Sequence, residues 1–174
     1  MAEPDGSVDD VFLPGGRLRL DCFNDEALHA LREALRLARE TRWDSVRSPH
    51  IFMGLLAVPD ASVCNWGERL QADLSTLLGQ FQELFYQEQG EEEAVLVLNR
   101  EFLSDNVIAL LRDAYQRALD NERCKVTPMD LLISLLGAPY SIVAECFARI
   151  GVKTFKLIDL AVKAEHSGGG ERPA

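Results

Sequence analysis

The stretch VTPMDLLISLL, residues 126–136, decides the fold of this chain, and a similar stretch, SPHIFMGLL, stands at residues 48–56. Each stretch predicts a short buried helix. Ser48 or Thr127 caps its first turn, and a proline follows where a missing backbone N–H costs nothing. Asp130 suits the positive end of the helix dipole. Because both helices are apolar on nearly every side, other helices must surround them, so we expect them at the centres of two similar helical units.

A shift of 80 residues superimposes the two halves of the chain without a gap, for example Asp25 on Asp105 and Leu77 on Leu157. Such self-similarity indicates tandem repeats that bury their apolar faces against each other. We therefore predict an all-α fold of eight helices, built as two four-helix repeats related by a pseudo-twofold axis, with a groove where they meet. The cap at Ser48 is one residue out of this register, which predicts a later start for the second helix in the first half.

The composition predicts where the repeats begin and end. Two strand-like segments, residues 17–21 and 94–98, precede the first helix of each half and are expected to pair as a short two-stranded antiparallel β ribbon. The predicted parts are a flexible N-terminal arm (1–16), repeat 1 (17–86), an acidic linker (87–100), repeat 2 (101–166) and a flexible tail (167–174). In the second half the helices are expected at 104–121, 127–136, 139–150 and 152–165, with Gly151 closing the third.

The overall composition is that of a globular protein, with 47% apolar residues and a net charge of −10. The charge argues against nucleic-acid binding, which needs clustered Lys and Arg. It either keeps the protein soluble or favours a basic or arginine-rich protein partner. No apolar run is long enough to cross a membrane and no signal peptide is evident, so we expect a cytoplasmic protein. The four cysteines are expected to be buried free thiols rather than disulfides.

The chain offers little for catalysis. It contains no phosphate-binding loop of the Gly-x-x-x-x-Gly-Lys-Ser/Thr type, no Gly-x-Ser-x-Gly motif and no Cys-x-x-Cys pair. We therefore predict no enzymatic activity, no cofactor and no metal. His50 stands at a helix start, where a structural hydrogen bond is the expected role. Trp43 lies in a charged segment, and it either anchors a partner or packs against the core.

Several of these features together resemble a known family. An apolar residue beside a helix cap, an alanine-rich first helix and a second helix with a Pro-x-His-Leu-Leu-like start occur twice in tandem. In this they are similar to the N-terminal repeat domain of Clp-type AAA+ unfoldases, and the resemblance covers residues 23–165. It implies an eight-helix module that receives substrates and adaptor proteins for an ATPase ring. Because the chain has no phosphate loop, it would be a stand-alone version of that domain.

The resemblance also implies where partners bind, namely at the starts of the first and second helix of each repeat. Some family members bind phosphorylated arginine through glutamates there, but Pro49 and Met129 occupy those positions in this chain, so we do not expect that activity. His50 matches a family histidine, whereas Asp130 replaces it in the second half. The protein-binding residues expected from these positions, together with the exposed aromatic candidate, are Asn24, Asp25, Trp43, Pro49, His50, Ser104, Asp105, Met129 and Asp130.

The function expected from the sequence is therefore recognition without chemistry. The chain is predicted to be an adaptor, regulator or accessory subunit of a Clp ATPase and protease system, which binds protein segments in the groove between the repeats. Two alternatives are a self-associating structural module, which would form a homodimer, and a sensor of small ligands or modified peptides, which would show a closed pocket with convergent polar groups.

Overall fold

The structure is a computed structural model that describes residues 10–88 and 96–170 of the chain. Within these ranges the backbone forms eight α-helices and no β-strand, which confirms the predicted all-α fold of two four-helix repeats. The helices are α1 Asp25–Glu40, α2 Ser48–Ala57, α3 Ala61–Leu70, α4 Leu74–Leu84, α5 Asp105–Asp120, α6 Pro128–Gly137, α7 Ile142–Arg149 and α8 Thr154–Gly170.

The two repeats keep their sequence register in three dimensions. Helices α5 and α6 begin and end 80 residues after α1 and α2, and short 3-10 turns at Leu20–Cys22 and Arg100–Phe102 precede the first helices at the same spacing. The second helices therefore start at equivalent positions. The prediction of a start one residue later in the first half was wrong, because the residue that precedes each second helix, Arg47 or Thr127, is the true N-cap.

The turns that end the helices are also repeated. Arg42 and Glu122, which follow α1 and α5, both adopt left-handed backbone conformations, with φ of 68° and 61°. Gln71 and Gly151, which follow the third helices, do the same with φ of 62° and 92°. Gly151 thus ends α7 as predicted, and Gln71 adopts the strained equivalent without the help of glycine.

The central helices of the core are α2 and α6, as the sequence predicted. Residues 49–56 of α2 are all buried, and α6 is buried along most of its length. Helix α1 packs closely on α2 at Gly54, where an added Cβ would lie 2.3 Å from the carbonyl oxygen of Ala30. Only glycine permits this approach of the two backbones.

An aromatic cluster joins the two repeats. The ring of Phe52 makes edge contacts with Trp66, Phe81 and Phe147, with centroid distances of 6.1, 4.9 and 6.0 Å. The indole N–H of Trp66 donates to the carbonyl of Leu157 in the other repeat at 3.1 Å. Each buried ring contributes roughly 2 kcal/mol through removal of apolar surface from water, so this cluster is a principal reason that the repeats form one core.

The expected β ribbon is reduced to isolated bridges. Arg17 and Asn99 form one antiparallel bridge, and the N–H of Leu18 donates to the carbonyl of Leu98 at 3.0 Å. The two segments therefore meet as predicted, but the chain turns into the 3-10 helices before a ladder can extend. Residues 94 and 95 of the second segment lie outside the described residues.

The ends of the repeats differ from the predicted boundaries. The part of the N-terminal arm that is described is packed rather than loose, because Val11 and Phe12 are buried and Phe12 bridges to Leu18. Residues 1–9, 89–95 of the linker and 171–174 of the tail lie outside the described residues. Helix α8 continues to Gly170, beyond the predicted start of the tail. Helix α7 starts at Ile142 rather than at residue 139, because Ser141 caps it and Tyr140 is in a left-handed conformation.

The cysteines are free but mostly not buried. Only Cys22 is buried, whereas Cys64 and Cys124 are exposed and Cys146 is half-buried. The apolar patterns around Cys64 and Cys146 are those of amphipathic helices, whose buried residues do not include either cysteine. Burial raises the pKa of the Cys22 thiol, which keeps it protonated at neutral pH.

Candidate functional site

The start of the first helix in each repeat lies beside the residues that precede the second helix of the other repeat. Leu103 forms a parallel bridge with Val46, and the N–H of Ser104 donates to the carbonyl of Val46 at 3.0 Å. At the other end, the N–H of Asn24 donates to the carbonyl of Val126 at 2.9 Å. Each first helix therefore starts beside the second helix of the opposite repeat, which creates two pseudo-symmetric sites.

The polar residues at the first-helix starts act as caps. The side chain of Asn24 accepts a hydrogen bond from the N–H of Ala27 at 2.8 Å, and that of Ser104 accepts from Val107 at 3.2 Å. Asp25 follows Asn24 in the first turn of α1, where its exposed carboxylate complements the helix dipole. Asp105 does the same on α5.

One of the two sites contains an open pocket, which we name the Trp43 site. It has a volume of about 180 Å³ and lies between the start of α2, the start of α5 and the start of α7. Its surface includes Tyr140, which is 98% exposed, and Ile142, which is 42% exposed. The lining residues are Trp43, Arg47, Ser48, Pro49, His50, Phe85, Ser104, Asn106, Tyr140 and Ile142.

His50 closes the base of this pocket through two hydrogen bonds. Its Nδ1 accepts from the backbone N–H of Arg47 at 2.9 Å, so it caps α2 in the place expected for Ser48. With Nδ1 as the acceptor, the neutral ring carries its proton on Nε2, which lies 3.2 Å from the hydroxyl of Thr41. That hydroxyl donates in turn to the carbonyl of Leu37 at 2.7 Å. The structural role predicted for His50 is therefore confirmed.

Burial keeps the imidazole of His50 neutral. Desolvation, aided by the positive charge of Arg47, lowers its pKa to about 4. Both ring nitrogens have partners, and protonation of Nδ1 would break the cap on α2. The ring is therefore a fixed wall of the pocket rather than an acid or a base.

Trp43 packs on the core, as one of the two sequence interpretations held, and it also lines the pocket, while its role as a partner anchor stays a prediction. Its indole N–H donates to the carbonyl of Phe85 at 2.5 Å, and its ring meets His50 edge-on at a centroid distance of 5.5 Å. The guanidinium of Arg47 covers the other side of the ring at 4.9 Å. Half-buried and held on three sides, Trp43 presents a rigid aromatic edge to the pocket.

At the second site the residue equivalent to His50 belongs to a group of ion pairs, the Asp130 cluster, formed by Asp130, Arg117, Arg123 and Glu165. Asp130 is fully buried and binds Arg117 at 2.6 Å and Arg123 at 2.5 Å. Glu165 of α8 pairs with Arg117 at 2.9 Å. One oxygen of Asp130 also accepts from the backbone N–H of Thr127 at 2.9 Å, which completes the cap on α6.

The Asp130 cluster stabilises the charged form of the carboxylate. Burial alone would raise the pKa of Asp130, but hydrogen bonds from Arg123, the Thr127 backbone and Arg117 hold it below its usual range. Met129, next to Asp130, is only 1% exposed. Met129 and Asp130 are thus both buried, and the carboxylate of Asp130 has its partners within the fold.

Four of the nine predicted site residues thus lie together at one pocket, namely Trp43, Pro49, His50 and Ser104. Arg47, Phe85 and Ile142 were not among the residues predicted from the sequence. For Tyr140 the sequence left packing and a place in the groove both open, and the structure has it 98% exposed beside the pocket.

The described part of the chain shows neither a metal site nor a membrane-spanning helix. In residues 10–88 and 96–170, no three His, Cys, Asp or Glu side chains are placed to hold a metal ion. No single helix of these ranges has both the length and the hydrophobicity of a membrane span. The pair Pro128–Gly137 and Ile142–Arg149 meets the limits only when joined across a 71° bend.

Comparison with known proteins identifies the fold. No family model matches the sequence, and no curated protein matches it. Among solved structures, the N-terminal domain of the chaperone ClpD from Arabidopsis thaliana matches with a TM-score of 0.65 at 14% identity, over 85% of this chain and 97% of that domain. The N-terminal domain of Hsp104 from Candida albicans matches with a TM-score of 0.67 at 14% identity, over 83% and 92%.

A third match is the N-domain of ClpV from Vibrio cholerae, with a TM-score of 0.60 at 15% identity, over 83% of this chain and 82% of that domain. The class defined by these matches is the tandem-repeat N-terminal domain of Clp chaperones. This chain has that Clp N-terminal domain fold, as its sequence pattern predicted. The low identities extend the likeness to the fold and not to particular binding residues.

Proposed function

We propose that this protein is a non-catalytic protein-binding module, which serves as an adaptor, regulator or accessory subunit of a Clp ATPase and protease system in the cytoplasm. The observation that carries the proposal is the Trp43 site, an open pocket to which both repeats contribute side chains. The shared fold supports the same class of function, since the matched domains are parts of Clp chaperones.

The Trp43 site offers the features of an anchor point for a polypeptide. Tyr140 and Ile142 stand exposed at its rim, and the edge of Trp43 forms one wall. Aromatic side chains that surround a partly desolvated pocket commonly supply most of the energy of a protein interface. We infer that an apolar side chain of the partner enters the pocket while Tyr140 covers it.

The chemistry of the site supports binding rather than reaction. His50 is neutral, buried and bonded at both ring nitrogens, so no free acid or base faces the pocket. The hydroxyl of Ser104 is engaged as the cap of α5 and has no neighbouring base to activate it.

The test compares a site variant with a matched control. Tyr140→Glu places a charge at the rim of the Trp43 site, whereas Phe155→Glu places the same charge on α8, where Phe155 is 73% exposed outside this pocket. Tagged wild type and both variants would be used to capture partners from a lysate of the source cells, and a Clp component identified by mass spectrometry would be purified and its affinity measured directly.

We expect the purified Clp ATPase or protease subunit to bind wild type and Phe155→Glu equally, and Tyr140→Glu about tenfold more weakly. If no Clp component binds the wild type, the proposed partnership is wrong. If a Clp component binds all three proteins equally, the Trp43 site is not its binding surface.

A second candidate, self-association, is favoured by another surface. Between α4 and α7 lies an apolar groove of about 160 Å³, beside which Leu84 is 61% exposed and Ile150 is 73% exposed. Exposed apolar patches of this kind often mark interfaces. Sedimentation equilibrium separates the candidates, because a dimer that Leu84→Glu converts to a monomer would support self-association, and a wild-type monomer would exclude it.

A further inference from the structure

The N-terminal arm shows how this fold holds a peptide segment. Asp10 binds the guanidinium of Arg112 on α5 through both carboxylate oxygens, at 2.9 and 3.0 Å. Two residues later, Phe12 is only 2% exposed and forms an antiparallel backbone bridge with Leu18. The guanidinium groups of Arg100 and Arg112 lie over its ring, 5.7 and 5.5 Å from the centroid. The arm thus occupies a site, the arm site, whose walls include Leu18, Arg100 and Arg112.

Each wall of the arm site has a counterpart 80 residues away in the other repeat, and these counterparts are Leu98, Leu20 and Arg32. All three counterparts line one open groove, which we name the Arg32 groove. It has a volume of about 650 Å³ and lies between α1 and the segments at 17–21 and 96–98. The pseudo-twofold relation of the repeats therefore brings the counterparts together beside α1, as it brings the walls of the arm site together beside α5.

The sequence repeats these walls without repeating the peptide that fills them. The counterparts of Asp10 and Phe12 are Gly90 and Glu92, which lie outside the described residues. A glycine has no carboxylate to offer Arg32, and a glutamate has no ring to bury against apolar walls. The chain's own counterpart of the arm therefore lacks both of the groups that hold the arm in place.

The Arg32 groove exposes apolar side chains from three segments of the chain. Leu13, Leu20 and Val97 all line it, and they are 38%, 46% and 47% exposed. Leu35 of α1 is half-buried beside them. In the arm site the ring of Phe12 lies against two arginines, whereas Leu20 replaces one of these in the groove. The walls of the groove are therefore more apolar than those of the arm site, which favours an apolar side chain from a partner.

The same groove carries a positive charge. Arg17 and Arg32 line it and are exposed, and within the described residues neither of them forms an ion pair. The other two charged residues of the groove, Arg19 and Asp21, pair with each other at 3.3 Å. Three arginines against one aspartate make the groove basic in a protein whose net charge is −10. The local field therefore attracts a carboxylate.

We propose that the Arg32 groove binds a segment of a partner polypeptide in which a carboxylate stands two residues before a phenylalanine, the order that the chain itself uses at the arm site. The carboxylate accepts hydrogen bonds from the guanidinium of Arg32. The phenyl ring packs against Leu20 and Leu98, with the same guanidinium over its face. No residue of the Trp43 site lines this groove, so the inference does not depend on the proposed function.

The experiment is a titration of the isotope-labelled full chain with the capped peptide acetyl-Asp-Val-Phe-Leu-amide, which has the sequence of residues 10–13, followed by two-dimensional NMR. We expect saturable shifts at the backbone amides of Arg32 and Val97. The same peptide with alanine in place of phenylalanine should bind about tenfold more weakly, because the buried ring supplies most of the apolar contact. The peptide with asparagine in place of aspartate should bind about threefold more weakly, because its ion pair is partly exposed to solvent.

Paired variants separate the groove from general attraction between the peptide and the protein. Arg32→Glu should weaken peptide binding about tenfold, because it replaces the attraction by a repulsion. Arg149→Glu makes the same change of net charge on α7, outside the groove, and should leave the affinity unchanged. Leu20→Ser should weaken binding about threefold, whereas Leu84→Ser, at another exposed leucine, should not. All four side chains are exposed, so the fold should survive, and circular dichroism checks it.

Three results of the titrations would overturn the proposal. The first is the absence of saturable shifts at Arg32 and Val97. The second is an affinity that a groove variant and its control lose equally or both retain. The third is a set of shifts confined to α5 around Arg112, because the peptide would then displace the arm instead of entering the groove.

Two further measurements exclude other occupants of the groove. If a second copy of the chain filled it, sedimentation equilibrium would show a dimer that Arg32→Glu dissociates, whereas we expect the variant to sediment as wild type does. If the chain's own residues 90–93 filled it, changing Glu91, Glu92 and Glu93 to glutamine would strengthen peptide binding about tenfold or more. We expect a change of at most about twofold, from the altered net charge alone. A positive result for either occupant would overturn the choice of a partner polypeptide.

Discussion

The third residue of α2 and the third residue of α6 both cap their helices, the first with a neutral imidazole and the second with a charged carboxylate. His50 and Asp130 stand at equivalent positions, and each accepts a hydrogen bond from the backbone N–H of the residue that caps its helix. The ring of His50 contacts the hydroxyl of Thr41 and the ring of Trp43, whereas the carboxylate of Asp130 binds two arginines.

The difference shows that the repeat conserves a backbone geometry rather than a set of side chains. Trp43 and Arg123 are equivalent in register, and each contacts the third residue of the following helix. Because the carboxylate of Asp130 is buried and charged, it needs cationic neighbours, which the neutral imidazole of His50 does not. The first repeat has an open pocket beside His50, whereas in the second repeat the equivalent residue is bound by the arginines of the Asp130 cluster.

The largest effect is expected from Asp130→Ala, which leaves two arginines without their shared carboxylate and removes the cap of α6. We expect a loss of about 4 kcal/mol in the free energy of unfolding, because a buried pair broken on one side leaves an uncompensated charge. Urea denaturation measures it. Asp113→Ala, an exposed carboxylate on α5, is the control and should stay within about 0.5 kcal/mol of wild type.

The pH dependence of stability separates the two sites. The folded pKa of His50 is about 4 against an ordinary value of 6.5, so the unfolded chain binds the proton more tightly between these values. Stability should therefore fall as the pH drops from 6.5 to 4, by about 3 kcal/mol from this residue. The lowered pKa of Asp130 makes its contribution disappear only below about pH 3.8.

His50→Asn checks the assignment, because the amide oxygen of asparagine can accept from the N–H of Arg47 but does not titrate. The loss of stability between pH 6.5 and 4, measured by urea denaturation at each pH, should be smaller in this variant. An unchanged pH profile would mean that other groups cause the loss.

A smaller effect is expected at a helix position that differs between the repeats. Gly54 occupies this position in the first repeat and Ser134 in the second. Gly54→Ser should destabilise the protein by about 2 kcal/mol, because its Cβ meets backbone rather than a movable side chain. Ser134→Ala removes an unpartnered hydroxyl and should be neutral or slightly stabilising. Thermal unfolding of both variants measures the contrast, and equal effects would contradict the importance of the close backbone approach at Gly54.

The smallest effect is expected when the charged pair of the second repeat, Asp130 and Arg123, is introduced at the equivalent positions of the first repeat. His50→Asp alone buries a carboxylate without a cation, and Trp43→Arg supplies one at the position of Arg123. In a double-mutant cycle we expect a favourable coupling of about 1 kcal/mol between the two substitutions. A coupling of zero would show that the Asp130 cluster also needs Arg117, whose counterpart in the first repeat is Leu37.

Much of the candidate site could be predicted once the register was known. The 80-residue shift alone places the helix starts, and Trp43, Pro49, His50 and Ser104 indeed meet at one pocket. The same shift pairs Trp43 with Arg123, which could have indicated that the second site is charged. The contribution of Glu165 could not be predicted, because it pairs with an arginine 48 residues earlier in the chain.

The sequence by itself determined the eight helices, their register and the two-repeat architecture, because apolar periodicity, caps and turn residues are local properties that repeat along the chain. Only the tertiary structure decided that Ser48 yields its capping role to His50 and that Met129 and Asp130 are buried. Those outcomes depend on which distant side chains meet and on how closely two backbones approach, and neither is encoded in a periodic pattern.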